Sequence, residues 1–259
     1  MVSDISDISK CSRVLLKVSG EMFSADGSMG YDTSKLISLA SQLKIIHNAG
    51  IGIVIVPGGG NLLRGSQLSS DIGGGIIPQV NADYMGMLAT VMNAIALKSV
   101  INSHEKINVE IFSAIPVDAM CSVFSIPKAL SALDNKSIVI CAGGTGNPLF
   151  TTDSAAALRA IQLDTDVLFK ATKCDGVYDS DPFKNSDSKR YEYLNYDDAL
   201  RDNLEIMDLS AFSLCRDHKM LINIFSGVGG ANSIANSVLA YGSDKKFGTL
   251  VGGFASKYY

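Results

Sequence analysis

Residues 51–56 read IGIVIV, a run without one polar side chain, and the chain leaves it through PGGGNLLRG. A strand with one face in water alternates apolar and polar residues. A run that is apolar on both alternations belongs to a parallel strand covered on both sides. Such a strand requires helices above and below its sheet, and the rest of the chain supplies them. RVLLKVSG (13–20), VEIFSAI (109–115), SIVICA (137–142), DVLFKAT (166–172) and LINIF (221–225) are further strand candidates. The first helical pattern runs from Thr33 to Asn48, with apolar residues at 36, 39, 40, 43 and 46 and a stop at Gly50. Others cover about 82–101, a segment opened by PKALSAL, Asp153 to about Leu163, a short stretch in NYDDALRDN, and one capped near Asp208. A final helix and short strand follow. This alternation predicts an α/β fold, a three-layer αβα sandwich around a mostly parallel central sheet. With no internal repeat, low-complexity tract or linker, it also predicts a single domain over 13–259 behind a polar tail, 1–12.

Charge and cysteine usage narrow the function classes. A net charge of -4 gives no basic field for coating nucleic acid. The five cysteines, at 11, 121, 141, 174 and 215, form no CxxC, so the expectation is reduced cytoplasmic thiols and no structural zinc. MVSDISDISK is polar and acidic, unlike a secretory signal. MGMLATVMNAIALKSVI (85–101) is the longest apolar stretch, but it carries Asn93 and Lys98 and falls short of the ~20 residues of a membrane span. It reads as a buried or interface helix of a soluble protein.

Ligands of open α/β sheets sit where loops leave the carboxyl ends of the strands. Four strands here end unusually, in KVSGE, PGGGNLLRG, AGGTGNPLFTTD and KATKCDGVYDSDP. Glycine lets backbone amides approach a ligand, nests of amides bind phosphate, and the helices that follow add the positive ends of their dipoles. Taken singly, each cluster has an ordinary reading. Glycines after strands are usually turns, Lys17 could be a solvated strand-end lysine, and Asp153, Asp83 and Asp208 could be helix N-caps. Four clusters on one side of one sheet favour a phosphate-binding role over the ordinary readings. GxxxxGK[ST] does not occur, and the GGGNLL run breaks GxGxxG, which argues against a P-loop ATPase and a dinucleotide-dependent oxidoreductase.

KVSGE, GGGNLLRG, ADYMGMLATVMNA, GGTGNPLFTTDSAA and KATKCDGVYDSDP resemble, in order and spacing, the bacterial uridylate kinases of the amino acid kinase family. The resemblance runs from about Arg13 to Val251. It departs at Pro57 before the glycine loop, at Cys174, and at IFSGVGGANSI, which lacks the family's usual asparagine- and proline-bearing stretch. The resemblance implies transfer of the γ-phosphoryl of ATP to UMP, with Mg2+ accompanying ATP. It implies ATP contacts from Lys17, Val18, Ser19, Gly20, Gly60, Arg64, Thr172, Tyr178 and Asp181. It implies UMP contacts from Gly59, Asp83, Thr145, Gly146, Asn147, Pro148, Leu149, Phe150, Thr151 and Thr152. Lys17 and Asp208 take the catalytic positions, with an N-cap as the competing role for Asp208, and no metal ligand is assigned. It further implies a homohexamer built from dimers, the helix near 82–101 at the dimer interface, and a family that includes enzymes activated by GTP and inhibited by UTP. The rivals are a kinase acting on an amino acid or carbamate, which would need a charged acceptor pocket that TGNPLFTT does not provide, and a non-catalytic nucleotide-binding protein of the same fold.

Overall fold

In the computed structural model, residues 11–63, 77–204, 206–227, 233–241 and 247–259 are described. The first strand, β1 (Arg13–Val18), lies between β2 (Gly52–Pro57) and β6 (Val167–Thr172), parallel to both. Outward from β2 come β5 (Ile138–Ala142), β3 (Val109–Ser113) and the two-residue β4 (Ser122–Val123). Outward from β6 come β8 (Leu221–Ser226), β9 (Thr249–Gly252), β7 (Tyr191–Asn195) and β10 (Lys257–Tyr258). Pairing is parallel except for β8 with β9 and β10 with β7. The mostly parallel sheet expected from the apolar runs is therefore present.

Consecutive strand residues face opposite cores. Val14, Leu16, Ile53, Ile55 and Phe169 pack with α1 (Thr33–Asn48), α2 (Gln79–Val100) and the last helix, α7 (Ser233–Leu239). Leu15, Val54, Val56 and Leu168 pack on the other side with α3 (Ile126–Asp134), α4 (Thr152–Gln162) and α6 (Leu209–Asp217). A short α5 (Tyr196–Arg201) follows β7. Each buried Leu or Ile is worth roughly 1.5–3 kcal/mol, so a strand buried on both faces contributes about twice what a half-exposed one does. Asp32 caps α1, accepting from Ser34 N at 2.8 Å, and Gly50 takes φ 84° just past its end.

Two features depart from the sequence reading. The helix expected from about 82 starts at Gln79 and runs on through a π-helical turn, Ile101–Glu105, which Lys106 ends at φ 56°. The continuous Gln79–Glu105 stretch is long and apolar enough to cross a membrane by length and composition. Here it covers the sheet instead, with Asn93 fully buried and hydrogen-bonded. The second departure is β7, YEYLN, which has no clean apolar pattern. Its Glu192 is buried against Lys257 of β10 at 2.9 Å, a pairing invisible until the edge strands meet.

Candidate active site

The parallel register of β1 and β6 sets Lys17 directly beside Lys170. Two ammonium groups side by side on one sheet face repel unless an anion separates them. The first turn of α4 supplies that anion. Asp153 Oδ1 lies 2.8 Å from Lys17 Nζ, off the hydrogen-bonding direction, and Oδ2 accepts from Lys170 Nζ at 2.6 Å. Lys170 also donates to the Ile206 carbonyl at 2.6 Å. All three side chains are only 12–14% exposed. Burial pushes the Asp153 carboxyl up, but Lys17 and Lys170 outweigh it and hold it below the usual carboxylate range. Burial also lowers Lys170, against the opposing pull of Asp153.

The N-cap of α4 is Thr151, whose hydroxyl accepts from Asp153 N at 2.9 Å and Ser154 N at 3.4 Å. This corrects the expectation that Asp153 caps the helix: its backbone is capped, which leaves its carboxylate free for the lysines. Lys170 is a residue that sequence reasoning did not single out. Its only local signal is a lysine near the end of DVLFKAT, as Lys17 ends RVLLK, and that signal acquires meaning only once β1 and β6 are neighbours.

Asp208 caps α6, accepting from Ala211 N at 2.8 Å. It also accepts from Ser210 Oγ at 2.6 Å, Ser154 Oγ at 3.1 Å and the Thr151 hydroxyl. Burial raises its carboxyl, but the hydroxyls of Ser210 and Thr151 and the Ala211 amide prevail and lower it. The cap reading therefore holds, with an addition. Through Thr151 and Ser154, Asp208 fixes the first turn of α4, and with it the aim of Asp153.

The loops after β1 and β2 meet backbone to backbone. A Cβ on Gly20 would collide with Gly60 N and lie 2.9 Å from Asn61 N, and one on Gly58 would lie 2.8 Å from Gly20 N. Only glycine permits this approach. A buried pair locks it: Asn93 of α2 donates to the Gly58 carbonyl at 2.7 Å and to Asn61 Oδ1 at 2.6 Å, and Asn61 donates back at 3.1 Å. Asn93→Leu leaves the Gly58 carbonyl and Asn61 Oδ1 without their donor, while Asn61 Nδ2 keeps the Gly30 carbonyl at 3.0 Å. It is expected to cost about 1–3 kcal/mol in urea unfolding, and an unchanged midpoint would mean the pair does not hold the loop. Beside this junction, a cavity of ≈ 220 Å³ is lined by Lys17, Ser19, Lys170 and Thr172. A second, of ≈ 400 Å³, reaches Gly60 and Asn61, and Glu21, Asp26 and Lys173 line both. A larger cavity at the β3–β4 edge contains none of these residues.

Cationic strand ends under glycine loops, with a buried carboxylate between the cations, are an arrangement chemically suited to a phosphate group. The amino acid kinase family model matches residues 12–226. The chain belongs to the amino acid kinase family. It is 43% identical to a uridylate kinase of Ehrlichia ruminantium (strain Welgevonden), covering 90% of this chain and 93% of that protein. It is 45% identical to one of Yersinia pestis (strain Pestoides F), over 83% of this chain and 87% of that protein. Among solved structures, a UMP kinase from Bacillus anthracis superposes with a TM-score of 0.88 at 33% identity, covering 96% of this chain and 99% of that one. A UMP kinase from Ureaplasma parvum does so at 0.86 and 32%, covering 94% and 99%. The αβα architecture expected from the sequence is thus the fold of this family.

The other residues that the sequence resemblance pointed to fall in three places. The loop from β5 to α4 turns on Gly143, Gly144 and Gly146, all at positive φ, and on Leu149 at φ 71°. Gly143 N donates to Thr90 Oγ1 of α2 at 2.8 Å. Asp83 is no cap: it lies inside α2 and accepts from Leu149 N at 2.8 Å and from Gln79 Nε2 at 2.7 Å. Within the loop, Thr145 Oγ1 accepts from Asn147 N at 3.1 Å, while Leu149 and Phe150 project into solvent. Gly59 packs on α2, where a Cβ would lie 3.0 Å from the Gly86 carbonyl. Val18 is buried and contributes backbone alone, its carbonyl accepting from Gly58 N at 2.8 Å. On the β6 side, Thr172 donates to the Cys174 carbonyl at 2.7 Å and Tyr178 to Asp175 at 2.7 Å. Asp181 accepts from Phe183 N at 2.9 Å, farther along the same loop. Arg64 lies outside the described residues, as does most of the divergent loop at 226–233.

Proposed function

We propose that the protein transfers the γ-phosphoryl group of ATP to UMP, forming UDP and ADP, as a step in making pyrimidine nucleotides. A phosphate oxygen of UMP forms the new bond to the γ-phosphorus, the bond to the β,γ-bridging oxygen breaks, and ADP departs with that electron pair. The second ionisation of a phosphate monoester lies near ~6, so the attacking oxygen is already anionic at neutral pH. The reaction needs cations and positioning rather than a general base. The single observation that carries this reading is the Lys17–Asp153–Lys170 cluster. Its carboxylate is engaged by two lysines and is a poor proton acceptor, while its cations are held rigidly at two adjacent strand ends. Lys17 and Lys170 are assigned to the transferring phosphoryl, and Asp208 to orienting α4.

The donor site comprises Val18, Ser19, Gly20 and Gly60 at the phosphates, with Thr172, Tyr178 and Asp181 toward adenine. Arg64 of the glycine loop is assigned to phosphate. The acceptor site comprises Gly59, Asp83 and the loop from Thr145 to Thr152. The neutral donors and acceptors of that loop suit uracil and ribose and offer nothing to an amino acid's paired charges. In an assay with ATP, magnesium and UMP, CMP, dCMP, aspartate or acetylglutamate, UMP is expected to be the preferred acceptor. A missed hydrogen bond to the base edge costs on the order of 1–3 kcal/mol, and CMP turning over as fast as UMP would refute the assignment.

Magnesium belongs to this reading as part of the ATP substrate. Among the described residues no group of three or more His, Cys, Asp or Glu could cage a cation, and both oxygens of Asp153 face lysines. Arriving with ATP, the ion would supply neutralisation of the phosphate charge beside Lys17 and Lys170.

We read residues 13–259 as one catalytic domain, supported by the single ten-stranded sheet. A cytoplasmic location with no nucleic-acid or membrane partner is supported by the acidic charge balance and five free thiols. The assembly proposed is a homohexamer of dimers. Val80, Tyr84, Leu88 and Met92 form a row at i+4 spacing along α2 and are 44, 43, 48 and 52% exposed. An apolar row of that length is costly to leave in water. Met92→Asp is expected to shift the mass seen by light scattering toward monomer, and retention of the wild-type mass would rule this face out as the interface.

A further inference from the structure

Arg190 lies between two tyrosines. Its backbone pairs with Tyr178 in an isolated antiparallel bridge, and its carbonyl accepts from Tyr259 N at 3.1 Å. Its guanidinium carbon sits 4.1 Å from the centre of the Tyr259 ring. The same guanidinium forms an ion pair with Asp175 and donates to the Asp175 carbonyl at 3.2 Å. Asp175 in turn accepts from the Tyr178 hydroxyl at 2.7 Å.

The far end of this chain of contacts is itself anchored. Tyr258 stacks on the buried Tyr191 with ring centres 4.3 Å apart and donates to its hydroxyl at 2.8 Å. Tyr259 donates to the Gly248 carbonyl at 2.8 Å. At the near end, Val177 N donates to the buried Thr249 hydroxyl at 2.8 Å, which ties the base of the loop to β9.

We infer that Tyr259 and Arg190 are positioning residues for the phosphoryl donor, holding Tyr178 through Asp175 so that its ring faces the adenine. This rests on the donor-side assignment of Tyr178 made above. The segment between β6 and β7 is long and polar and contains no helix or named strand. A segment of that kind samples many conformations unless something outside it fixes its geometry. Arg190 suits the task because a planar guanidinium stacks on an aromatic ring with its face while its edge bonds a carboxylate. Releasing the tie requires the loop to be ordered when ATP binds, which weakens ATP and leaves UMP, held on the opposite side of the lysines, untouched.

Steady-state kinetics on the full-length oligomer test this with three variants. Tyr259→Ala is expected to raise KM for ATP about fivefold, the loss of the cation–π contact with Arg190, with KM for UMP unchanged. Tyr259→Phe keeps the ring over Arg190 and loses only the bond to Gly248, so it is expected to restore the wild-type KM for ATP. If Tyr259→Phe is as impaired as Tyr259→Ala, or if both KM values rise together with a falling thermal midpoint, the residue serves stability alone and the inference is overturned. Tyr178→Ala separates the two readings. With Tyr178→Ala raising KM for ATP and Tyr259→Ala silent, the positioning role is overturned while the donor site stands. With both silent, the donor-side assignment of Tyr178 fails and takes the positioning role with it.

Discussion

Lys17→Met is expected to lower kcat by about 10²–10³, a loss of roughly 3–4 kcal/mol in transition-state stabilisation. The substitution keeps most of the aliphatic length and deletes the charge. Lys17 sits on a strand whose neighbours Leu15, Leu16 and Val18 are all buried, so its ammonium is mounted without freedom to drift. A cation held in this way stabilises charge on the transferring phosphoryl without reorganising during the reaction. KM for UMP should change far less, because the acceptor is assigned to Asp83 and the loop from Thr145 to Thr152. Deleting Lys17 also relieves the repulsion with Lys170 and leaves Asp153 one partner, so the variant should fold. Kinetics on folded, oligomeric Lys17→Met decide the matter: a kcat near wild type would return Lys17 to the status of an ordinary strand-end lysine.

Asp153→Asn should have the largest effect on stability. It is isosteric, but it leaves two buried ammonium groups facing each other with no anion between them. Breaking a buried ion pair from one side typically costs about 3–5 kcal/mol, most of it from the uncompensated charge that remains. Urea unfolding should show a loss of this order, and removing one lysine as well, in Asp153→Asn/Lys170→Met, should recover part of it. A double variant no more stable than the single one would mean that the lysines are not the source of the loss. The pH dependence carries a matching sign. Lys17 and Lys170 lower the folded-state pKa of Asp153 against its burial, so its contribution is complete above the unfolded-state value of about 3.9. It is lost as pH falls through the depressed folded value. The wild-type protein should therefore lose stability on acidification over that window more steeply than Asp153→Asn, measured by unfolding midpoints across the acid range.

The element alternation, the burial of IGIVIV on both faces, the helix from Thr33 to Asn48 and the cap at Asp208 were all legible in the sequence. Each rests on a period or a capping pattern contained within about twenty neighbouring residues, where local physics decides. The crowding of glycine, hydroxyl and amide groups at four strand ends was legible for the same reason, and in a parallel sheet it pointed to the candidate site. Strand order was not. That β1 lies between β2 and β6 is decided by which apolar faces pack best, and it alone sets Lys17 beside Lys170. Asp153 looked like a cap because its position in the first helical turn suits one. Its actual work was settled by two cations from strands that its own segment does not contain, while Thr151 took the cap. Asn93 looked like a blemish in an apolar helix until Gly58 and Asn61 came within hydrogen-bonding distance. The edge strands followed the same rule: the acidic Glu192 of β7 is tolerable in a buried position only because Lys257 of β10 reaches it. Periodicity and caps are properties of the local chain, whereas the partner of a charged side chain is chosen by the packing of segments far apart in sequence, and only the assembled sheet brings them together.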